Sequence, residues 1–193
     1  MSEAKNSKNN TGELVLTCIV GFVNKNKVYI GGDSAGIANL DVRTRSDTKV
    51  FRNEEFLFGC CGSFRMISLL KYDFVPPDNE YDIDDLEFCS TKVVNSIRTC
   101  FRDGGSMKVQ DSVEGSQGSF LMGYRGQLYH VDEDFQVGTF YEPYAAVGCG
   151  SSYALGVMYA LKNAAPKRRI QEALSAAEKF CVGVRSPFVI MSI

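Results

Sequence analysis

Three polar residues are evenly spaced through the first third of the chain. Thr17, Asp33 and Lys49 lie 16 residues apart from one to the next. Together they offer a hydroxyl, a carboxylate and an ammonium, groups from which a covalent hydrolytic site can be built. Taken singly they are ordinary, since threonine favours strands, aspartate followed by Ser34 favours a turn, and lysine is usually solvated. The spacing therefore matters only if the fold brings the three side chains together.

The single histidine limits the other hydrolytic mechanisms. A Ser–His or Cys–His hydrolase would have to use His130 as its base, and a site with several histidine ligands is excluded within one chain. Cys149, between Gly148 and Gly150, superficially resembles the turn that exposes a nucleophile, but the full G-x-C-x-G spacing is absent. A Cys hydrolase that uses Cys149 and His130 is therefore a minor alternative, and His130 is expected to be structural.

The bulk properties exclude several classes of protein. The chain has 193 residues and a formal net charge of -2, which suits one domain and gives no strongly basic surface for nucleic acid. No apolar run approaches the roughly 20 residues that span a bilayer, so no membrane partner is expected. The polar N-terminus lacks the apolar core of a secretory signal. Seven cysteines without a C-x-x-C pair predict reduced, mostly buried thiols in a cytoplasmic protein.

Strand signals surround each member of the trio. They lie at 14–23, 28–33, 48–51 and 55–61. The first predicted strand carries Thr17, the second ends at Asp33 and the third carries Lys49. The first two form a hairpin, and residues 34–48 are predicted to be a loop with short strands. Neighbouring strands are thus expected to position the three side chains.

The rest of the chain alternates in blocks of helices and strands. One helix opens after Ser63, and a second runs from Asp84 to Gly104. Strands are predicted at 119–124, 127–131, 135–140 and 144–148, helices at 151–162 and 168–181, and a final strand at 187–193. Segregated blocks of this kind predict an α+β fold, with two sheets packed face to face between helix pairs as a four-layer αββα sandwich. We expect one domain at 17–193 after a disordered leader or propeptide at 1–16.

The trio and its surroundings resemble the proteasome β subunits and the bacterial HslV-type peptidase. The matching stretches around the trio are TCIV at 17–20, IGGD at 30–33 and TKV at 48–50. Three further stretches resemble the turn before the family's first helix, its central hairpin and its A-I-G-S-G-x-x-Y-A segment: GCCGS at 59–63, LMGYRGQLY at 121–129 and AVGCGSSYA at 146–154. The order and spacing of these matches carry the resemblance.

The resemblance implies an N-terminal-nucleophile (Ntn) hydrolase that acts as a threonine peptidase. In this class the hydroxyl of an N-terminal threonine attacks, and its own α-amine, with a pKa of about 8, is the base. Thr17 would be the nucleophile, Lys49 would lower the pKa of both groups, and Asp33 would keep Lys49 charged and oriented. The backbone N–H of Gly62 is the candidate oxyanion donor. Cys149 lies where the family usually has a serine near the amine, and no cofactor or metal is required.

Three departures from the family pattern favour an alternative function. Leu16 precedes Thr17, and its bulk should hinder the backbone turn that self-cleavage requires. Lys179 stands where the last helical region usually has an aspartate, and Glu178 beside it is expected to face elsewhere. Cys149 replaces a serine with a weaker hydrogen-bonding group. The alternative is a catalytically inactive structural subunit of a ring.

The resemblance also implies partners. Members of the family assemble into stacked rings and degrade unfolded polypeptide, often with an ATP-dependent unfoldase. The phosphate-binding pattern G-x-x-x-x-G-K-[ST] is absent from this sequence, so such an ATPase would be a separate chain. We therefore expect self-assembly, an unfolded polypeptide substrate and an unfoldase partner.

Overall fold

The computed structural model describes residues 16–38, 41–79 and 83–193. Its strands form a four-stranded sheet, a five-stranded sheet and two hairpins. The predicted leader at 1–16 lies outside the described residues except for Leu16. Within the described ranges no helix is long and apolar enough to cross a membrane.

The strands alternate with helices in the predicted block order. In chain order the strands are β1 (Ile19–Asn24), β2 (Lys27–Gly32), β3 (Ala35–Ala38), β4 (Asp41–Thr44), β5 (Val50–Asn53), β6 (Phe56–Gly62), β7 (Lys108–Gln110), β8 (Val113–Gly115), β9 (Gly118–Tyr124), β10 (Gln127–Val131), β11 (Val137–Gly138), β12 (Tyr144–Val147) and β13 (Val189–Ser192). The four-stranded sheet has the order β12-β1-β2-β13, and the five-stranded sheet has the order β11-β10-β9-β6-β5. All of these neighbouring pairs are antiparallel.

The helices begin at residues suited to helix starts. They are α1 (Phe64–Tyr72), α2 (Asp85–Phe88), α3 (Val94–Asp103), α4 (Ser151–Ala160) and α5 (Pro166–Phe180), with a π-helical turn (Cys89–Val93) joining α2 to α3. The Ser63 hydroxyl caps α1 by accepting from the Arg65 N–H at 3.1 Å. The Asp84 carboxylate caps α2, and Pro166 occupies the first turn of α5, where its missing N–H costs no hydrogen bond.

Three hydrophobic cores lie between the four layers of helices and sheets and hold them together. One core lies between the five-stranded sheet and α1 to α3, a second lies between the four-stranded sheet and α4 and α5, and a third lies between the two sheets. Strand β1 contributes to two of them because successive side chains point to opposite faces. Ile19 packs in the core between the sheets, whereas Val20 and Phe22 pack against α4 and α5. The four-layer αββα prediction is confirmed.

The structure corrects several predicted boundaries. Strand β1 begins at Ile19, so Thr17 precedes it, because the Thr17 carbonyl accepts from the Gly150 N–H at 3.2 Å rather than from a neighbouring strand. Lys49 likewise precedes β5 by one residue. The strand predicted at 135–140 is reduced to β11, and the β7–β8 hairpin was not predicted. The two residues that matter for chemistry thus lie at strand ends, where the side chains can reach a common point.

Candidate active site

The side chains of Thr17, Asp33 and Lys49 meet in one buried cluster. The Thr17 hydroxyl donates to Asp33 Oδ1 at 2.8 Å and accepts from the Lys49 ammonium. The same ammonium donates to Asp33 Oδ1 at 2.9 Å. Thr17 and Asp33 are each 2% exposed and Lys49 is 5% exposed, so water screens these charges little. The structure therefore brings together the trio that the sequence singled out.

Asp33 is the most heavily bonded member of the cluster. Besides Thr17 and Lys49, its Oδ1 accepts from the Cys18 N–H at 3.0 Å. Its Oδ2 accepts from the Ala35 N–H at 2.8 Å and from the Arg185 N–H at 3.4 Å. Backbone donors of this kind fix the orientation of the carboxylate. Asp33 can therefore hold the Lys49 ammonium against the Thr17 hydroxyl.

The ion pair between Lys49 and Asp33 is costly to break. The two side chains are 5% and 0% exposed, respectively, so removal of one partner would leave a charge buried without compensation. Breaking a buried pair in this way costs about 3–5 kcal/mol, although a complete pair adds little net stability. A cluster of buried charges adds little net stability for the free energy that their burial costs, and such clusters are typical of functional sites.

A cavity of about 250 Å³ opens onto this cluster. Thr17 and Lys49 of the cluster line it, and its other lining residues are Leu16, Ala35, Ile37, Gly62, Ser63, Phe64, Lys108 and Gln117. Gly62 is paired with Gly118, and a Cβ at Gly62 would lie 2.4 Å from the Gln117 carbonyl oxygen. The close strand contact thus requires glycine at this position. Gly62 lies beside the cavity as expected, and its role as oxyanion donor stays a prediction.

Cys149 contacts Thr17 from the opposite, backbone side. The Cys149 thiol donates to the Thr17 carbonyl oxygen at 3.4 Å, and the Cys181 thiol donates to Cys149 Sγ at 3.1 Å. Gly148 next to it has a φ of +94°, and a Cβ there would lie 2.4 Å from the Thr17 carbonyl oxygen. Cys149 is therefore close to Thr17, as predicted, through the carbonyl rather than through the hydroxyl.

Three thiols around Thr17 are held in their neutral form. Burial, and to a smaller extent the hydrogen bond from Cys181, raises the pKa of Cys149 to about 11. Burial also raises the pKa of Cys61 to about 12, although the Lys49 ammonium opposes this shift. The pKa of Cys18 is raised for the same reason, burial first and the Asp33 charge second. Since the thiolate is the nucleophile, these neutral thiols are poor candidates for attack.

The residues of the Cys hydrolase alternative do not meet. His130 lies on β10, where its ring stacks on Phe140 with centroids 6.0 Å apart. In the described part of the chain, the hydrogen-bond neighbours of Cys149 Sγ are Thr17 and Cys181, and no imidazole is among them. Burial also lowers the pKa of His130. His130 therefore has a packing role, as the sequence suggested.

The end of α5 differs from the sequence-based expectation. Lys179 is exposed and lines a groove with Phe180, away from the cluster. Cys181, one residue beyond the helix, is the side chain that meets Cys149. Lys179, which stands where the family usually has an aspartate, is thus turned outward by the helix.

Glu178, which was expected to face elsewhere, supports the site indirectly. Its carboxylate accepts from the Ser186 N–H at 2.8 Å. The residue before Ser186 is Arg185, whose N–H bonds the Asp33 carboxylate. Glu178 therefore anchors a loop that contacts the charged cluster.

Sequence reasoning missed Cys181, Glu178 and the Arg185 backbone as neighbours of the site. The loop that carries Arg185 reaches Asp33 across 152 residues of sequence. No local pattern in the sequence signals such a contact. Among the described residues, no group of three or more histidine, cysteine or acidic side chains is arranged to hold a metal ion.

The chain was compared with protein-family models, with curated proteins and with solved structures. No protein-family model matches the sequence, and no curated protein matches it either. Solved structures do match: BPH from Thiobacillus denitrificans in complex with epoxomicin is 20% identical, with a TM-score of 0.76 over 92% of this chain and 98% of that one. HslV from Trypanosoma brucei is 17% identical, with a TM-score of 0.62 over 91% and 98%. Anbu (ancestral β-subunit) from Yersinia bercovieri is 15% identical, with a TM-score of 0.63 over 91% and 81%.

These likenesses span nearly the whole of the chain, although the identities are low. They agree with the two packed sheets and the helix pairs that flank them. The chain therefore has the proteasome-like αββα fold of the Ntn hydrolases, the fold that BPH, HslV and Anbu share.

Proposed function

We propose that this chain is a proteasome-like threonine-type endopeptidase subunit, in which Thr17 becomes the N-terminal nucleophile after the leader is removed. The observation that carries the proposal is the convergence of the Thr17 hydroxyl, the Asp33 carboxylate and the Lys49 ammonium in a buried cluster that opens onto a cavity. The domain boundary between 16 and 17 is part of this proposal.

The mechanism uses groups already in place and one that cleavage would create. The Thr17 hydroxyl attacks the carbonyl carbon of a substrate peptide, and its proton passes to the freed Thr17 α-amine. The Lys49 ammonium lowers the pKa of both groups, and Asp33 holds it in position. The N–H of Gly62 stabilises the developing oxyanion. The protonated amine returns the proton to the leaving amine, and water then hydrolyses the ester on Thr17.

The peptide bond between Leu16 and Thr17 controls this reaction. While that bond is intact, the Thr17 nitrogen is an amide and cannot accept a proton as the mechanism requires. Leu16 also packs closely on the chain near Gly183, where an added Cβ would lie 3.1 Å from Leu16 Cα. Release of the amine by cleavage at this bond is therefore the activating step.

A catalytically inactive ring subunit is the second candidate. The bulky Leu16 before Thr17 favours it, because self-cleavage requires a backbone turn that a large residue hinders. The pair of thiols beside the Thr17 carbonyl also favours it, since thiols are weaker hydrogen-bonding groups than hydroxyls. In this case the buried cluster would be retained as a structural feature only.

Either candidate includes self-assembly into stacked rings. The outer surface of α4 and α5 exposes an aromatic pair, Tyr153 and Phe180, whose ring centroids are 5.7 Å apart. Phe180 is 67% exposed, and Val157 and Ala160 of α4 line the groove beside it. Apolar surface of this kind is typically covered by a protein partner. We infer that a second copy of the chain covers it.

The proposed substrate is unfolded polypeptide. A cavity of about 250 Å³ has room for side chains and an extended strand segment but not for a folded domain. Since the sequence has no phosphate-binding loop, an ATP-dependent unfoldase would be a separate partner. A cytoplasmic location, expected from seven unpaired cysteines, stays a prediction.

The decisive experiment combines N-terminal sequencing of the purified protein with labelling by epoxomicin, the ligand of the BPH complex. A mature chain that begins at Thr17 and gains one covalent epoxomicin there would support the peptidase. A Thr17→Ala variant should lose both the adduct and the hydrolysis of unfolded substrate, whereas Thr99→Ala, at an exposed helical threonine, should keep both. An uncleaved Leu16–Thr17 bond together with no turnover would favour the structural subunit.

Self-assembly has its own test. Phe180→Glu should convert rings into smaller species in size-exclusion chromatography with light scattering, because a charge would be buried at the proposed contact. Tyr72→Glu, at a similarly exposed aromatic residue on α1, is the matched control and should leave the rings intact. A monomeric wild-type chain at every concentration tested would contradict the assembly proposal.

A further inference from the structure

Two thiols that the proposed mechanism does not use lie in contact beside the nucleophile. Cys181 Sγ and Cys149 Sγ are 3.1 Å apart. Cys149 in turn donates to the Thr17 carbonyl oxygen at 3.4 Å. The two sulfurs therefore form a short chain of hydrogen bonds that ends on the backbone of Thr17.

The fold holds the two sulfurs together from distant parts of the sequence. Cys149 lies in the turn between β12 and α4, and Cys181 follows the last residue of α5, 32 residues away. Helices α4 and α5 pack against the same sheet face, which fixes the distance between the two positions. Gly183 closes one side, since a Cβ there would lie 2.5 Å from Cys149 Sγ. The contact is thus built by tertiary packing, and Gly183 limits the movement of Cys149 Sγ on one side.

Access to these two thiols differs from access to the others nearby. Cys149 and Cys181 are half-buried, whereas Cys18, Cys60 and Cys61 are at most 2% exposed. A small oxidant can therefore reach the pair without opening the core. A disulfide needs a sulfur separation of about 2.05 Å, so a relative shift of roughly 1 Å closes the gap.

We propose that Cys149 and Cys181 are an oxidation site, at which hydrogen peroxide converts the two thiols into a reversible disulfide next to Thr17. Cys181, one residue beyond the helix, reacts first. Its sulfur attacks one oxygen of the peroxide, the O–O bond breaks, and the displaced hydroxide takes up the thiol proton, which gives a sulfenic acid and one water. Cys149 Sγ then attacks Cys181 Sγ and loses its proton, and the hydroxyl group leaves as a second water. Two thiols and one peroxide thus give one disulfide and two waters, and a dithiol reductant restores the thiols.

The order of events follows from the environment of Cys149. Burial raises the pKa of Cys149 to about 11, which leaves it protonated at neutral pH and unreactive toward peroxide. Once Cys181 carries the sulfenic acid, however, Cys149 needs only to attack a neighbour already in contact. Proximity of this kind replaces an encounter in solution and favours the intramolecular product.

Oxidation would change the hydrogen bonding of Thr17. A disulfide has no S–H group, so the Thr17 carbonyl loses the donor that Cys149 supplies and is left with the Gly150 N–H, which lies 3.2 Å away in the reduced protein. Movement of Cys149 toward Cys181 also displaces the turn that carries Gly150. The effect on catalysis rests on the proposed function, whereas the disulfide itself does not.

The test is peptide mapping of the full-length protein after brief treatment with hydrogen peroxide. After alkylation of free thiols in denaturant, trypsin should release residues 126–162 joined to residues 180–185, and the intact chain should lose about 2 Da. Dithiothreitol should reverse both changes. We expect this disulfide to form at least about tenfold faster than oxidation of Cys100, which is also half-buried but whose sulfur faces the Leu69 carbonyl oxygen instead of a second sulfur.

Matched variants separate the pair from general oxidation. Cys181→Ser should abolish the linked peptides, and Cys100→Ser should leave them unchanged. Hydrogen exchange of the 148–152 segment should rise on oxidation of the wild type but not of Cys181→Ser. Absence of linked peptides in the wild type overturns the oxidation site, and an unchanged exchange rate overturns the link to Thr17. An inactive chain that still forms the disulfide would refute the proposed function and leave this inference standing.

Discussion

The two sides of Thr17 are built from opposite kinds of chemistry. On the side-chain side, the hydroxyl lies between the Lys49 ammonium and the Asp33 carboxylate, both almost fully buried. On the backbone side, the carbonyl oxygen accepts from the Cys149 thiol and the Gly150 N–H. The side-chain side is charged and makes several hydrogen bonds. The backbone side is neutral, and its two donors are a thiol, which is a weak donor, and a backbone N–H at a long hydrogen-bond distance.

This difference suggests that the hydrogen bonds of the Thr17 hydroxyl are fixed, whereas those of its carbonyl can change. Charged hydrogen bonds are roughly twice as strong as neutral ones, so the hydroxyl side sets the position of the nucleophile. A thiol is a weak donor whose loss costs little, so the carbonyl side can respond to redox state or substitution. Substitutions on the charged side should therefore have the largest effects, and those on the thiol side the smallest.

The largest effect should follow Lys49→Met. The substitution leaves the Asp33 carboxylate buried without its cation, and we expect the free energy of unfolding to fall by about 3–5 kcal/mol. Urea denaturation followed by circular dichroism measures this change. Lys108→Met is the matched control, because Lys108 lines the same cavity but is exposed, and it should cost less than about 0.5 kcal/mol.

A double-mutant cycle shows whether that loss comes from the pair. Asp33→Asn removes the charge that Lys49→Met leaves unpaired, so the double variant should be at least about 1 kcal/mol more stable than the sum of the single effects predicts. Additive losses would mean that Lys49 is stabilised by packing rather than by the carboxylate. The charged side of Thr17 would then differ less from the thiol side than we claim.

The next largest effect is expected from a steric clash on the backbone side of Thr17. Gly148→Ala should lower the free energy of unfolding by about 1–3 kcal/mol, because the φ of +94° disfavours a side chain and the new Cβ would press on the Thr17 carbonyl oxygen. Gly105→Ala is the control, since Gly105 has a φ of +68° but an added Cβ there would have no neighbouring atom within 4 Å among the described residues. Thermal unfolding of both variants isolates the contact with Thr17, and equal losses would contradict it.

A smaller effect is expected from alkaline pH. The folded-state pKa of Cys149 is about 11, above its ordinary value of 9.0. Its contribution to stability is therefore complete below pH 9 and is lost as the pH rises through about 11, because the unfolded chain gives up the proton first. Since Cys149 is only half-buried, the loss should be no more than about 1 kcal/mol.

Denaturation midpoints between about pH 8 and 11 provide the measurement. Cys149→Ser should show a shallower decline than the wild type, because serine does not ionise in this range. Other buried thiols, such as Cys61, still contribute to the decline in both proteins. Parallel curves for the two proteins would show that Cys149 is not held as a neutral thiol in the folded state.

The smallest effect concerns the hydrogen bond of Cys149 itself. Cys149→Ser keeps a donor for the Thr17 carbonyl, whereas Cys149→Ala removes it. Because the carbonyl still accepts from the Gly150 N–H, the alanine variant should be less stable than the serine variant by only about 0.5 kcal/mol. The same pair of variants tests the Cys hydrolase alternative. If Cys149 were the nucleophile, serine would lower turnover by several orders of magnitude, whereas a threonine peptidase should lose far less.

The charged side of the site was predictable from the sequence, and the neutral side was only partly so. Thr17, Asp33 and Lys49 carry their signal in a regular spacing, and each lies one or two residues beyond the end of a strand. Strands β1 and β2 belong to one sheet and β5 to the other, so the packing of the two sheets brings the three side chains together. Cys149 carried a signal through the glycines around it. Cys181 carried none, because its contact depends on how α4 and α5 pack rather than on any local pattern.

The fold was predictable for a similar reason. Blocks of strands and helices follow from periodicity, and the four layers follow from the need to bury both faces of two sheets. The short β7–β8 hairpin was missed, since all its side chains are exposed or half-buried and no apolar alternation marks it. Lys179 is exposed at the end of α5, whereas Cys181, two residues later, contacts Cys149, and the sequence pattern did not distinguish the two positions.

Leu16 has two roles in this structure. It is bonded to the Thr17 nitrogen, and it also forms part of the cavity wall. Removal of the segment that ends at Leu16 would therefore uncover a proton acceptor and enlarge the binding space in the same event. A peptide ligand too large for the uncut protein could then bind only the cut form. Affinity for such a ligand would report maturation directly, even in a chain with no turnover.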